Sequence, residues 1–320
     1  MWAVRKESVV AEERLVAAVD IGGTNLRCAV AGLDDPRRII ARRSVRTPTS
    51  EAPDPFLDLV SAEIDRCLAE AGRKRESLVS VGCTAPGITD PEAGVVRTAA
   101  NLPGWSRVPL VAMLESRLAV KAAIENDVKA AALGELEYGA GRGRQSLVYM
   151  TVSTGVSAGI VVGGKILRGH HHAAGEIAYL LPEPAHIGRD WGENGCLELT
   201  AAGVGIAREW AAKRGVAGEP ASASDVFEAA RAGDGDAVAI VGRAGDYLAQ
   251  AAVALCAIVD PEALVLGGGI AENTPELRDR IAHVVRETLP FPPDVVRAEL
   301  GGDSPLAGAV ALAVAKHASG

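Results

Sequence analysis

The sequence predicts an α/β fold of two similar halves, each opening with a β-hairpin whose turn faces a shared cleft. Three observations carry this. Residues 15–20 and 26–30 are apolar, β-compatible runs joined by Gly22-Gly23-Thr24, so the chain reads strand–turn–strand. The unit recurs at 147–152 and 158–162 around Ser153-Thr154-Gly155, and segments 22–32 and 154–164 match in length and apolar pattern. Helical and strand periodicities alternate between and after the hairpins.

The elements follow in order. Residues 1–13 read as a loose extension. In the first hairpin a strand, not a helix, follows the glycines, which separates the turn from dinucleotide-binding and Walker-type loops. Residues 55–71 place Phe56, Leu57, Val60, Ile64 and Leu68 at helical spacing, with Gly72 as the stop. A strand at 78–82 leads to the turn Pro86-Gly87. A strand at 119–125 runs into Asn126-Asp127, and a helix over 128–138 ends at Gly139. In the second half, apolar periodicity predicts helices over 197–212 and 237–259. A strand at 263–266 then enters Gly267-Gly268-Gly269. The Ala/Val-rich tail at 305–318 reads as a helix that crosses back onto the first half. The expected division is residues 14–126 with 304–320 as a small domain and 127–303 as a large one.

Bulk composition narrows the partners. The chain has 320 residues, 48% hydrophobic and 23% charged, which is enough to bury a sizeable core. Aromatics are only 3%, so Ala, Val, Leu and Ile must build that core. The net charge of −8 and the lack of a long basic run argue against a nucleic-acid partner. The cysteines Cys28, Cys67, Cys83, Cys196 and Cys256 are odd in number, scattered and without C-x-x-C, which fits a reducing cytoplasm rather than a disulfide framework. No signal-like apolar core opens the sequence. The apolar run at 248–259 is too short to span a bilayer, so no membrane partner is expected.

Four features carry chemistry. In Asp20-Ile21-Gly22-Gly23-Thr24-Asn25 the glycines let backbone N–H groups approach a phosphate, Thr24 adds a donor, Arg27 a cation, and Asp20 a carboxylate that can hold Mg²⁺ through water. Alone, this segment reads equally as an ordinary Gly-rich hairpin. The turn Ser153-Thr154-Gly155 would complete a phosphate clamp from the other half. Gly267-Gly268-Gly269 leaves room for a base or ribose, or is a plain flexible loop. Asp127, at a strand end and helix start, would be held as an anion by the helix N-terminus. Asn126 or Asp127 alone more often serves as a helix cap.

In combination, D-I-G-G-T-N at 20–25, A-P-G at 85–87, N-L-P-G-W at 101–105, E-N-D at 125–127, A-A-G-E at 173–176, G-C-L-E at 195–198 and L-G-G-G at 266–269 resemble the ROK family of repressors and sugar kinases. The N-L-P-G-W string resembles its ATP-dependent glucokinase branch. The resemblance runs from about Leu15 to Ala315 and implies an actin-like, hexokinase-type duplicated α/β fold with two domains flanking a cleft. It implies ATP and Mg²⁺ as cofactors, a hexose such as glucose as substrate, a homodimer, and Asp127 as the base. Asn101, Asn126, Glu176 and Glu198 would hold the other sugar hydroxyls. Asp20, Gly22, Gly23, Thr24, Asn25, Arg27, Thr154, Gly155, Gly267, Gly268 and Gly269 would hold the nucleotide.

The chain departs from the family at one place. Many members bind zinc through a His and three Cys beside the sugar pocket. Here Tyr179, Arg189 and Trp191 stand at three of those positions and only Cys196 remains. A lone thiolate does not make a tetrahedral zinc site, so no zinc is expected. Tyr179 offers one hydroxyl to the sugar in place of the His, and Trp191 is expected to pack the loop instead. His170-His171-His172 reads as a solvated loop at the pocket rim, and Trp105 as either a sugar platform or an apolar plug. Two alternatives stay open within the kinase reading: another acceptor (mannose, fructose, an N-acetylhexosamine, a cyclitol) or polyphosphate as donor. A non-catalytic sugar sensor is disfavoured by the intact Asp127 and glycine turns, and by the dozen or so residues before Leu15, too few for a helix-turn-helix module.

Overall fold

A computed structural model describes residues 13–99, 102–192, 194–215 and 222–319. The extension expected at the N-terminus lies almost wholly outside them. In the first half, β1 (Leu15–Ile21), β2 (Asn25–Gly32) and β3 (Ile39–Arg46) form an antiparallel meander. There follow α1 (Pro53–Glu70), β4 (Leu78–Ala85), the small strands β5 (Ile88–Asp90), β6 (Val95–Thr98) and β7 (Ser106–Val108), α2 (Leu110–Leu118), β8 (Lys121–Asn126) and α3 (Asp127–Tyr138). The second half contains β9 (Leu147–Val152), β10 (Val156–Val162), β11 (Lys165–Ile166), α4 (Cys196–Ala201), α5 (Gly203–Arg214), α6 (Ala223–Arg231), α7 (Gly235–Val259), β12 (Ala263–Gly267), α8 (Gly269–Asn273), α9 (Pro275–Thr288) and β13 (Asp294–Arg297). The chain returns to the first half through α10 (Ser304–Ala318).

The two main sheets have one topology. Their strand orders are β3-β2-β1-β4-β8 and β11-β10-β9-β12-β13. In each, a meander supplies three antiparallel strands and two later strands add in parallel. The duplication expected from the hairpins therefore extends to the whole sheet.

Strand β1 is buried along its full length because both faces are covered, as central strands of α/β sheets are. Leu15, Ala17, Val19 and Ile21 pack with Phe56, Leu57, Val60 and Ile64 of α1. Val16 and Ala18 face the other way, onto Leu306, Ala309, Val310 and Ala313 of α10. Small residues bring that helix close. A Cβ on Gly82 would lie 2.0 Å from the Ala309 carbonyl oxygen, and one on Gly308 would lie 1.9 Å from that of Ala130 in α3. Helix α10 thus lies in backbone contact with β4 at Gly82 and with α3 at Gly308, and a side chain at either glycine would prevent the contact made there.

Several elements were not legible in the sequence pattern. Strand β3 is an edge strand that exposes Arg42, Ser44 and Arg46, so it has no apolar run beyond Ile39-Ile40-Ala41. The strand expected from residue 119 starts at Lys121, because Ala119 caps α2 in a left-handed conformation (φ 54°). The helix expected over 197–212 is broken at Ala202. Helix α7, 25 residues long, matches the helix expected over 237–259, but its full length, not the run at 248–259 alone, makes it long and apolar enough to cross a membrane by length and composition. In this fold its Ile240, Ala244, Leu248 and Ala252 lie in the core of the second half. Trp105 is an apolar plug, 2% exposed and packed edge-on against Phe56 with ring centroids 5.0 Å apart.

Candidate active site

Asn126 ends β8 and caps α3. Its Oδ1 accepts from the N–H groups of Val128 (3.0 Å) and Lys129 (3.1 Å), and its Nδ2 donates to the Gly87 carbonyl (3.0 Å) and to Asp127 Oδ1 (2.9 Å). The amide is engaged four ways, so a sugar hydroxyl at Asn126 would displace one of these partners. The effect on Asp127 is orientation. Its Oδ1 also accepts from Val128 N–H (2.9 Å), while Oδ2 has no hydrogen-bond partner among the described residues. Desolvation, then the charge of Asp20, push the Asp127 carboxyl up to about 7. Glu176 adds to the rise; the Val128 N–H and Lys129 oppose it.

Glu176 and Glu198 lie in the same acidic cluster. Glu176 has its carboxyl raised by burial and faces Lys129, whose ammonium is 3.9 Å away. Lys129 is 2% exposed and was missed in the sequence, where it looks like an ordinary helix lysine among alanines. Glu198 opens α4 and also has its carboxyl raised, chiefly by burial. Its Oε2 accepts from Val156 N–H (3.2 Å), and a Cβ on Gly155 would lie 2.3 Å from that oxygen. The carboxylate therefore rests on the second hairpin turn, and glycine there makes room for it.

The first turn is buttressed differently. Asp20 is 3% exposed; its Oδ1 accepts from Thr84 Oγ1 (2.6 Å) and its Oδ2 from Arg27 Nε (2.8 Å). Arg27 also donates to the Gly302 carbonyl and to Asp303 at the start of α10, so its guanidinium is held by Asp20 and α10. Gly22 belongs to the turn by necessity, since a Cβ there would lie 2.8 Å from the Asn25 carbonyl oxygen. Gly23, Thr24 and Asn25 are exposed. Thr47, which the sequence did not single out, clamps the turn through Oγ1 to the Gly22 carbonyl (2.7 Å) and its N–H to that of Thr24 (2.9 Å).

On the far side of the second turn lies a cavity of about 960 Å³. Ser153, Thr154, Arg208, Phe227, Arg231 and Gly269 are among its walls. The N–H groups of Gly203 and Val204 hold the turn through the carbonyls of Ser153 (2.9 Å) and Thr154 (3.0 Å). Of the three glycines after β12, Gly269 reaches the cavity. Gly267 faces Tyr149, and Gly268 sits at φ 89° against Thr151 and Val152. Phe227 and Arg231 come from α6, which has no motif to mark it.

The remaining sequence-derived residues fall as follows. Asn101 lies outside the described residues. Tyr179 is 58% exposed with its ring edge against Gly195. The positions where zinc ligands were implied do not fit a metal: a phenol, a guanidinium and an indole accompany the buried Cys196. The indole of Trp191 instead donates to the His186 carbonyl (3.2 Å) and packs edge-on against the His186 ring. The histidine run is not uniformly solvated. His170 and His171 are exposed, but the His172 side chain is 12% exposed, with Nε2 3.4 Å from Asp90 Oδ1.

Comparison with known proteins identifies the family and the fold. The family model described as ROK family matches residues 16–316. The chain is 32% identical over 278 residues to a glucokinase of Halalkalibacterium halodurans, covering 81% of this chain and 82% of that protein. It is 34% identical over 298 residues to an N-acetylmannosamine kinase of Escherichia coli O139:H28, covering 92% and 97%. A ROK family glucokinase from Streptomyces griseus, solved in complex with glucose and AMPPNP, superposes with a TM-score of 0.75 at 29% identity, covering 93% of this chain and 99% of that one. The chain belongs to the ROK family and has its actin-like, hexokinase-type duplicated fold.

Proposed function

We propose that this protein is a sugar kinase that transfers the γ-phosphoryl group of ATP to a hexose, with glucose as the first substrate to test. One observation carries the reading: the turn at Ser153–Gly155 stands between an acidic cluster and a cavity of about 960 Å³. The cluster suits a polyhydroxylated acceptor, since carboxylates accept from adjacent hydroxyls. The cavity, with an aromatic ring and two arginines among its walls, suits a nucleoside more than a bare polyphosphate chain.

In this reading Asp127 removes the proton of the attacking hydroxyl through Oδ2, while Asn126 and Val128 hold Oδ1. Glu176 and Glu198 accept from other hydroxyls. Asn101 and Tyr179 are retained as further sugar contacts. The glycine turns at Gly22–Asn25 and Thr154–Gly155 approach the phosphates, and the region after Gly267 and Gly268 leads to the nucleoside at Gly269. Mg²⁺ would be held through water by Asp20. Its fit rests on the mutual repulsion of Asp20 and Asp127, which a divalent cation would relieve. The ion supplies charge neutralisation of the phosphates. Residues 14–126 with 304–320 and residues 127–303 act as two bodies closing on the substrates, in a cytoplasmic homodimer.

Glucose is favoured by the N-L-P-G-W string and the glucokinase relatives. N-acetylmannosamine is the second reading, favoured by the relative at 34% identity. Purified protein assayed for ADP release with ATP and Mg²⁺ across a sugar panel, then with polyphosphate, tests both. Glucose-dependent turnover is the expected result. Turnover confined to N-acetylmannosamine selects the second reading, and none with any sugar overturns the kinase assignment.

A further inference from the structure

The loop between β11 and Glu176 belongs to the second half, yet two of its side chains reach the first. Arg168 Nε donates to Glu125 Oε2 at 2.8 Å, and His172 Nε2 lies 3.4 Å from Asp90 Oδ1. Glu125 is 1% exposed, and its other oxygen accepts from Asn126 N–H at 3.0 Å. It stands two residues before Asp127. The loop is a stiff mount. It closes on itself through Ala174 N–H to the Arg168 carbonyl (3.0 Å), and it is pinned to β10 through Ala158 N–H to the Gly175 carbonyl (2.8 Å). Gly175, at φ 87°, admits no side chain, because a Cβ would lie 1.9 Å from the Ala158 carbonyl oxygen.

We propose that Arg168 is a positioning residue: it ties the loop carrying Glu176 to the strand end carrying Asn126 and Asp127, and so sets the base against the sugar-binding carboxylates. This rests on the kinase reading above. Neither Arg168 nor Glu125 need touch the sugar. The pair spans the two halves and fixes both sides of the acceptor site at once, which a contact within either half could not do. Other charged groups on elements packed against β8 are Asp127 and Lys129 on α3, Glu115 on α2, and Asp90 on β5 with its partners Arg97 and His172. Lys316 on α10 lies at the far end, beside Lys121.

The test compares wild type with Arg168→Met, Arg168→Lys, Glu125→Gln and the double variant Glu125→Gln/Arg168→Met. Arg168→Met should lower kcat/KM for the sugar by about tenfold or more while leaving the KM for ATP within twofold, as loss of orientation does. Arg168→Lys should recover part of the loss. Melting temperature supplies a readout independent of activity. A buried carboxylate without its cation is costly only when ionised, so the deficit of Arg168→Met should grow from about pH 5 to about pH 8. The double variant should lose that pH-dependent deficit yet keep the low kcat/KM, because the charge cost is gone and the tie is still missing. If Arg168→Met does not fold, Arg168→Lys and the double variant carry the test. Wild-type sugar kinetics in Arg168→Met or in the double variant would overturn the proposal, as would equal losses for sugar and ATP. Absence of phosphoryl transfer by the wild type would overturn the kinase reading instead, while the melting data would still decide the tie.

Discussion

The two hairpin turns have the same topology and different supports. The first, at Gly22–Asn25, is backed by Asp20, which Thr84 and Arg27 hold, and by Thr47 from the end of β3. The second, at Ser153–Gly155, is held by the N–H groups that open α5 and carries the Glu198 carboxylate on its face. The first therefore presents buried charge beside Asp127, while the second presents backbone between the acidic cluster and the cavity. Duplication supplied a common frame, and the residues packed behind each turn decide what that turn can do.

Removing the base should break the comparison most severely. Asp127→Asn keeps the shape of the side chain and should lower kcat by about 10²–10⁴-fold, with sugar affinity by calorimetry largely retained. Its stability relative to wild type should also depend on pH. The folded-state carboxyl is raised to about 7 from an ordinary 3.8, so the folded protein binds a proton that the unfolded chain releases. That contribution is fully present below about pH 4 and lost as pH rises through 7. Asp127→Asn should therefore gain melting temperature relative to wild type at pH 8, and the gain should shrink toward pH 4.

Gly155→Ala breaks the second turn. The new Cβ would collide with Glu198 Oε2, so kcat/KM for sugar and for ATP should both fall, by about 10–100-fold for a misplacement of this size. An effect on one substrate alone would separate Glu198 from the turn. Phe227→Ala sharpens the contrast, since its ring lines the cavity while its other contacts lie in the core of the second half. The KM for ATP should rise about tenfold, the scale of one lost apolar or stacking contact of 1–2 kcal/mol, with sugar KM unchanged. The smallest effect belongs to the loop without a zinc set. Trp191→Ala should lower the melting temperature by a few degrees, as about 1 kcal/mol does in a chain of this size, and a strong chelator should leave the wild-type melting temperature unchanged.

The hairpins were legible as apolar runs around their turns, α1 by its helical period, and α3 and the returning α10 by their Ala-rich composition. Strand β1 gave no clean alternation because α1 and α10 bury both its faces. Edge strand β3 was not legible at all, because its outward residues Arg42, Ser44 and Arg46 interrupt any apolar run. At the site, Asn126 could be read as a cap from its place before a helix, and the side chain does cap α3. Lys129 could not be found, since nothing local says that one lysine of an Ala-rich helix turns inward. The Arg168–Glu125 pair spans 43 positions and two halves of the molecule, and the cavity is made where helices from separate segments meet. Such features depend on tertiary packing, which periodicity does not encode.

The central claim is that Asp127, where β8 gives way to α3, is the base for a sugar beside a nucleotide held at the second hairpin turn. The most direct test is kcat/KM for the sugar against pH at saturating MgATP, in wild type and Asp127→Asn together. Any titration of the nucleotide is common to both proteins, so the difference between the profiles belongs to Asp127. The wild-type value should rise about tenfold per unit below a bend at or under pH 7, where Mg²⁺ relieves part of the repulsion that raises the carboxyl, and level off above it, as one essential ionised carboxylate requires. The variant should lack that bend. The same pH dependence in both proteins, or near-normal turnover by Asp127→Asn, would contradict the account.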